Sequence, residues 1–498
     1  MKEKAVFIIV VFSLLLFIVW LKLFSLQIIK GKENQALAEE NRIKIEKIKA
    51  PRGIIYDCRR EALVRNRPEG REYLYPEALA HVLGFVAEIA PEEIETEEQL
   101  GSLVGKLGIE KQYDRLLRGK DGGILVEVGA EGEIMREIKR KEPQAGGNLN
   151  LTLDLELQKA ALGALQGKKG ALIASEPQTG KILSLVSSPS FNPNLFTLAA
   201  ENEAKRTKEI ERLLASTNQA MFNRAIAGLY PPGSTFKIVT AIAGLEEGKI
   251  DQNTEIEDQG EIEIGPYTFG NWYYYQYGRK EGQLDIVKAI KRSNDIFFYR
   301  VGEWLGISKL SEWAVYFGLG QPLGIDLPGE AGGLVPTPEW KKEQQTEGWY
   351  LGDTFITAIG QGDLQLTPLQ VNQLAGVIAS QGKFCRPHLV ADGPEVDCQS
   401  LAVKPDNLAL VKEGMKEACQ EGGTGWPFFD FEPSVGCKTG TAEISQAGEE
   451  THAWFTVFAP VDKPEIVVTV LLEKGGEGSA DAAPVAKEVL KTWFDQKS

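Results

Sequence analysis

Residues 5–21 read AVFIIVVFSLLLFIVWL, with Ser13 as the only polar side chain. About 20 mostly apolar residues cross a bilayer. The stretch continues past Lys22 through LFSLQII to residue 29, and a lysine near one end can snorkel to the interface. A buried core helix fits poorly at the extreme N-terminus behind Lys2 and Lys4. A cleaved signal peptide is the sharper rival, but its cleavage box should directly follow a shorter apolar region. The tripeptide Ala36-Leu37-Ala38 has suitable letters and lies well past the stretch. The expectation is an uncleaved anchor, residues 1–29. Lysines flank both sides (Lys2 and Lys4 against Lys22, Lys30 and Lys32), so charge does not orient it. No later segment resembles a second span, which leaves 498 − 29 = 469 residues on one side.

That remainder is too long for one compact core and suggests roughly three domains overall. Lys plus Arg is 55 and Asp plus Glu is 70, a net charge of −15. An acidic balance argues against nucleic-acid binding, which needs a basic footprint. Five cysteines are too few for a disulfide scaffold, and His81, His388 and His452 follow no zinc spacing. Chemistry that depends on histidine is therefore poorly supplied.

Residues 30–50 are charged with interspersed apolar positions and predict a strand or helix leading out of the membrane. Residues 51–149 have few long apolar runs and predict an irregular, partly extended region. Within it, 91–99 (PEEIETEEQ) reads as solvated surface. Residues 148–153 alternate like a half-buried strand, and 155–165 read as a short helix. Strands are predicted at 169–175 and 181–187, joined by a turn through Pro177, Thr179 and Gly180. Helices follow at about 234–245 and 284–304, then strands at 451–459 and 464–472, and a helix at 481–494. An antiparallel sheet flanked by helices, an α+β domain over 150–498, fits this order.

Three segments carry chemistry. In Tyr230-Pro231-Pro232-Gly233-Ser234-Thr235-Phe236-Lys237, the Ser234 hydroxyl and the Lys237 amine are three residues apart and share a helix face. A serine becomes a nucleophile when a base takes its proton. A lysine can be that base when burial or nearby positive charge keeps it neutral. Backbone N–H groups at the helix start suit a developing oxyanion. By itself Ser-x-x-Lys is common, and a serine there is usually a cap. Second, Ser293 and Asp295 precede the apolar run 296–299, where a helix cap is the plainer explanation. Third, 435–443 (VGCKTGTAE) reads as an edge strand. There Lys438 and Gly440 face one way and Thr439 and Thr441 the other. Gly440 permits close approach of another backbone.

The three occur in the order known for penicillin-binding proteins and class A β-lactamases. The sequence resembles a class B penicillin-binding protein, a membrane-anchored peptidoglycan D,D-transpeptidase. Supporting matches include 51–57 (PRGIIYD), 81–86 (HVLGFV), 105–110 (GKLGIE), 151–154 (LTLD), 318–320 (GLG), 325–330 (IDLPGE), 358–362 (AIGQG), 367–370 (TPLQ) and 423–425 (GTG). The resemblance implies a serine transpeptidase/β-lactamase-like fold over 150–498, behind a non-catalytic pedestal over 30–149 of the dimerisation type.

It also implies roles. Ser234 forms the acyl-enzyme, Lys237 takes and returns its proton, and Ser293 joins the proton network with Asp295 and Lys438. Thr439, Gly440 and Thr441 bind the terminal carboxylate, and backbone N–H groups of Ser234 and Thr441 form the oxyanion hole. The implied substrates are stem peptides ending in D-Ala-D-Ala, with β-lactams as covalent inhibitors, and the resemblance implies no metal or cofactor. The implied partners are a polytopic membrane glycosyltransferase and other morphogenesis proteins, with the bulk of the chain outside the cytoplasm. The family usually has Ser-x-Asn where this chain has Asp295, and the Ser-x-Asp form resembles the elongation-type branch. Cys58 to Glu61 replaces a glycine-containing turn, and Cys437 stands where glycine is common. A Cys385–Cys398 bridge and free buried cysteines both remain open, as does a cleft-lining Cys437. The rival functions are a division-type transpeptidase, a serine β-lactamase and a catalytically weak scaffold of the wall machinery.

Overall fold

The computed structural model describes residues 2–35, 42–68, 70–91, 102–129, 133–197, 203–391, 393, 397–444 and 450–497. The tripeptide 36–38 and residues 92–99 of the acidic run lie outside the described residues. The chain forms two compact units: Met1–Gly53 with Arg115–Gly147, and Ile54–Asp114 with Asn148–Ser498.

The smaller unit begins with α1 (Lys2–Phe24), which continues as a π-helical turn over Ser25–Ile29. No residue of α1 is buried, and the stretch is long and apolar enough to cross a membrane by length and composition. Three strands then pair antiparallel in the order β1-β2-β3: β1 (Ile43–Ile48), β2 (Gly122–Val128) and β3 (Ile134–Lys141). The charged segment after the anchor is thus in part a strand.

The packing boundary departs from the linear division at 149/150, because residues 54–114 belong to the larger unit. Their buried apolar side chains, among them Leu63, Val64, Leu79, Val82 and Leu83, are fully enclosed. Their backbone is also stitched to later residues. Gln158 Nε2 donates to the Ala78 carbonyl at 2.6 Å, and the Tyr73 N–H to Asn194 Oδ1 at 2.8 Å. A segment this short buries little surface alone and gains stability by sharing a core.

The larger unit is built on a five-stranded antiparallel sheet. The elements that frame the site are α2 (Leu155–Ala164), β4 (Gly170–Ser175), β5 (Ile182–Ser188), α3 (Lys237–Glu246), α4 (Ile286–Arg292), α5 (Asp295–Leu305), α6 (Pro368–Ala379), α7 (Pro405–Ala418), β6 (Gly436–Glu443), β7 (Thr451–Ala459), β8 (Ile466–Leu472) and α8 (Ala483–Asp495). The strand order is β5-β4-β8-β7-β6, every pair antiparallel. Both faces are covered, so β8 is buried along its whole length and apolar except for Thr469, whose hydroxyl pairs with that of Thr456, rather than alternating. Trp454 and Phe458 of β7 pack into the core formed with α3 to α7, and Phe455 and Val457 into the core with α2 and α8.

Three predicted elements are corrected. The strand over 148–153 shrinks to Leu149–Asn150, which pairs in parallel with Ile55–Tyr56. The chain then turns to cap α2, with Asp154 Oδ1 accepting from the Leu157 N–H at 3.0 Å. The single helix over 284–304 is two helices. Ser293 lies in the left-handed region at φ 54°, and Asn294 caps α5 by accepting from the Phe297 N–H at 2.9 Å. The helix expected over 234–245 starts with a 3-10 turn, Gly233–Phe236, before α3.

The cysteines pair as Cys385–Cys398 and Cys419–Cys437, leaving Cys58 free and exposed. Cys437 is fully buried and bonded, so it is not a thiol lining the cleft. A Cβ on Gly425 would collide with both Cys437 Sγ and Cys419 Sγ, so glycine there makes room for the bridge. At the 58–61 turn, Arg60 adopts φ 64°, and Asp57 Oδ1 closes the loop by accepting from the Arg59 and Glu61 N–H groups.

Candidate active site

The 3-10 turn that carries Ser234 is fixed from three sides. The Gly233 N–H donates to the Gly360 carbonyl at 2.8 Å, and a Cβ on Gly360 would collide with the Gly233 carbonyl. The run 358–362 is therefore the backing of this turn. Its next residue, Gln361, donates from Nε2 to the Thr441 carbonyl at 3.2 Å. The Trp454 indole N–H donates to the Pro231 carbonyl at 2.9 Å. On the third side the turn abuts β6. A Cβ on Gly440 would lie 3.0 Å from the Pro232 oxygen, and one on Gly233 2.9 Å from the Thr441 oxygen. Glycine at 440 thus lets the turn and the strand touch. Ser234 itself is only partly buried, whereas its neighbours Gly233, Thr235 and Phe236 are buried.

Both lysines converge on Ser293. Lys237 Nζ donates to the Ser293 carbonyl at 2.7 Å and to Asp295 Oδ1 at 2.6 Å. Lys438 Nζ donates to Ser293 Oγ at 2.7 Å and to the Thr439 carbonyl at 2.9 Å. The left-handed Ser293 makes this possible, because the corner between α4 and α5 turns its carbonyl to one amine and its hydroxyl to the other. A non-glycine residue at positive φ costs on the order of 1–3 kcal/mol and persists where its surroundings hold it.

Both amines are fully buried. Burial pushes Lys237 below the usual lysine range, against the pull of the Asp295 carboxylate. Burial pushes Lys438 well below it, reinforced by the neighbouring Lys237 and opposed by Asp295. Desolvation disfavours the charged form of an amine, so this site favours neutral lysine.

Thr439 Oγ1 donates to Thr424 Oγ1 at 2.9 Å, and Thr441 Oγ1 accepts weakly from the Gly478 N–H at 3.5 Å. The 423–425 segment therefore meets the strand through Thr424. Asp295 Oδ2 accepts from the Trp272 backbone N–H at 2.9 Å. Sequence reading missed Thr424, Gln361, Trp272 and Trp454 as neighbours. Gln361 and Thr424 fell in the segments 358–362 and 423–425 without an assigned role, Trp454 fell in the strand predicted at 451–459, and Trp272 left no trace. In the structure Trp454 stands directly opposite Gly440.

Residues 170–491 match the penicillin binding protein transpeptidase domain, and residues 69–151 the penicillin-binding protein dimerisation domain. The chain belongs to the penicillin-binding protein transpeptidase family. It is similar to the peptidoglycan D,D-transpeptidase MrdA of Acinetobacter baumannii, 35% identical over 85% of this chain and 66% of that one, so it spans about two thirds of that relative's length. Among solved structures it resembles Pseudomonas aeruginosa PBP2 in complex with WCK 5153, at 34% identity and TM-score 0.80, covering 90% of this chain and 96% of that one. It also resembles PBP2 of Helicobacter pylori in complex with MreC, at 27% identity and TM-score 0.82, covering 91% and 99%. This family member is a serine-type peptidoglycan D,D-transpeptidase of the elongation-type, PBP2-like branch.

Proposed function

We propose that the chain cross-links peptidoglycan stem peptides through an ester on Ser234, with Lys237 as the base. The observation that carries this reading is the double use of Lys237. A neutral amine has two N–H groups and one lone pair. Both N–H groups are engaged, by the Ser293 carbonyl and Asp295 Oδ1, so the lone pair is left for the Ser234 proton. In the first step the Ser234 Oγ–C bond forms as Lys237 takes the hydroxyl proton. The peptide C–N bond then breaks, and the departing D-Ala amine takes that proton back. In the second step an amine of a neighbouring stem attacks the ester carbonyl. The Oγ–C bond breaks, and the amine's proton returns to Ser234 through Lys237.

Ser293 and Lys438 carry protons beside this path, because Lys438 reaches Ser293 Oγ. Backbone N–H groups of Ser234 and Thr441 hold the oxyanion where the 3-10 turn meets β6. Thr439 and Thr441 receive the terminal carboxylate, beside Gly440, whose missing side chain lets the turn lie against this strand. β-Lactams occupy the same place and acylate Ser234. In this reading residues 1–29 are the anchor, 30–149 are non-catalytic and 150–498 catalytic, with the bulk of the chain outside the cytoplasm. A membrane glycosyltransferase and a morphogenesis scaffold are the proposed partners. The Helicobacter pylori PBP2, solved in complex with MreC, supports the second.

The test is intact-mass spectrometry of the full chain in detergent after treatment with benzylpenicillin. One adduct per chain, mapped to the peptide that holds Ser234 and abolished by Ser234→Ala, is expected. An adduct on another residue, or an equal adduct on the variant, refutes the assignment.

A further inference from the structure

Between α3 and α4 the chain makes an excursion, residues 256–284, that holds two small antiparallel hairpin-like pairs. One strand of the first pair ends at Asp258, and the second pair ends at Gly270, next to Asn271. Asn271 and Asn294 are fully buried, and Asp258 is 2% exposed. Asn271 Nδ2 and Asn294 Nδ2 both donate to Asp258 Oδ2, each at 2.8 Å. Asn294 Nδ2 also donates to Glu281 Oε2 at 2.9 Å, and Arg292 Nε donates to Glu281 Oε1.

An ionised carboxylate only accepts, whereas an amide has one end that donates and one that accepts. The two acids therefore turn both NH2 groups toward themselves. This leaves Asn294 Oδ1 for the Phe297 N–H that it caps, and Asn271 Oδ1 for the Asp295 N–H at 3.2 Å. The next residue, Trp272, returns a backbone N–H to Asp295 Oδ2. The dipeptide 271–272 thus grips Asp295 at both its backbone and its carboxylate, while the other carboxylate oxygen holds Lys237. Nothing in the segment's own sequence marks it as part of the site.

We propose that Asn271, oriented by Asp258 and Glu281, is a positioning residue that sets where the Asp295 carboxylate stands against Lys237. The inference rests on the reading of Ser234 and Lys237 as the reacting pair. The charged groups facing Lys237 are Asp295, Glu281 and Lys438, and the Phe298 ring lies 5.6 Å away. Tyr275 and Tyr299 face Asp295 in turn, and Glu443 and Glu261 face those tyrosines. Of the surrounding acids, Asp258 belongs to the brace without acting on Lys237, so it separates positioning from direct charge.

The experiment measures the second-order rate of acylation by a fluorescent penicillin against pH, on the full chain in detergent. The variants are Asn271→Ala and Asp258→Asn, the latter near-isosteric and suited to folding if the former fails. In both, the high-pH plateau is expected to fall about tenfold, because a loosely held base is misplaced. The rising limb is expected to move down by about one pH unit, because a carboxylate that drifts away stops favouring the protonated amine. Wild-type plateau and limb in the folded variants overturn the inference. So does a lower melting temperature and labelled fraction with an unmoved limb, which is the mark of a merely structural role. A wild-type chain that takes no label at Ser234 instead refutes the assignment of the reacting pair.

Discussion

Lys237 Nζ and Asp295 Oδ1 form a buried ion pair at 2.6 Å, with the lysine side chain wholly enclosed and the aspartate 11% exposed. The pair joins the first turn of α3 to the first residue of α5. Its two members pull the proton in opposite directions: burial drives the amine toward neutrality, and the carboxylate draws it back. A base that must be neutral to react, yet regain a proton in each half of the cycle, gains from such a balance.

Asp295→Asn keeps the shape and removes the charge. It also restores the Ser-x-Asn pattern usual in the family. Because Asp295 raises the Lys237 pKa, its loss lowers that pKa further, and the neutral amine persists to lower pH. The rising limb of the acylation rate is expected to move down by about one unit or more. Stopped-time labelling across a pH series reads this directly. An unmoved limb means that a different group supplies the base.

Lys438→Met tests the second amine. In the folded chain Lys438 titrates well below its ordinary 10.5, and burial is the main cause. Between that lowered value and 10.5 the unfolded chain binds the extra proton. The group's contribution to stability therefore rises with pH, at up to about 1.4 kcal/mol per unit, and is complete above the unfolded value. The methionine variant lacks this dependence. Urea unfolding at pH 7 and pH 9 should show the variant gaining on wild type at the lower pH. Acylation should fall about a hundredfold, because Ser293 Oγ loses its partner in the proton path. Parallel stability curves at the two pH values would show that Lys438 does not titrate there.

The Cys419–Cys437 bridge ties the residue after α7 to the residue before Lys438, across 18 positions. Closing a loop of that length stabilises a fold by about 3 kcal/mol in the chain-entropy account. The double substitution Cys419→Ala and Cys437→Ala should lower the melting temperature to that extent, while penicillin still labels Ser234. Differential scanning of this variant against the natural chain, both without reductant so that the Cys385–Cys398 bridge stays intact, makes the comparison. An unchanged melting point would show that the half-cystines stabilise no more than two small apolar side chains.

Much of this site could be read from the residues. Ser234, Lys237 and Lys438 stand in patterns whose spacing and order carry the chemistry, and the sheet's strands announced themselves by apolar runs between turn residues. The break at Ser293 was hidden because apolar spacing continues through it, from Ile286, Ala289 and Ile290 to Ile296 and Phe297. Only the backbone angle at Ser293 and the cap at Asn294 stop the helix. The grip on Asp295 was hidden for another reason. It comes from a main-chain N–H at Trp272, 23 residues earlier, and a backbone donor has no sequence signature. The cysteine count permitted several pairings, and distance in the fold selects among them. The packing of 54–114 into the larger unit depends on contacts such as Ala78 with Gln158, Tyr73 with Asn194 and His81 with Ala220, which no local pattern reveals.

Trp454 offers the last test, of how the nucleophile is placed. Its ring is fully buried and its indole N–H meets the Pro231 carbonyl. The ring of the adjoining Tyr230 lies edge-on to it at 6.3 Å, and the Tyr230 hydroxyl donates to Glu473 Oε1 at 2.7 Å. Glu473 also pairs with Arg224 and Lys169, each at 2.8 Å. Losing the tyrosine hydroxyl therefore leaves the acid satisfied, whereas losing the indole N–H leaves the Pro231 oxygen without that donor. An unsatisfied buried acceptor costs about 1–3 kcal/mol. The turn can relieve that cost by moving, and a shift of Ser234 by a fraction of an ångström lowers the rate about three- to tenfold. Trp454→Phe is thus expected to acylate more slowly to an undiminished final stoichiometry, and Tyr230→Phe to differ less from wild type. Equal acylation rates for Trp454→Phe and wild type would mean that the Gly233–Gly360 hydrogen bond alone holds the turn in register with β6.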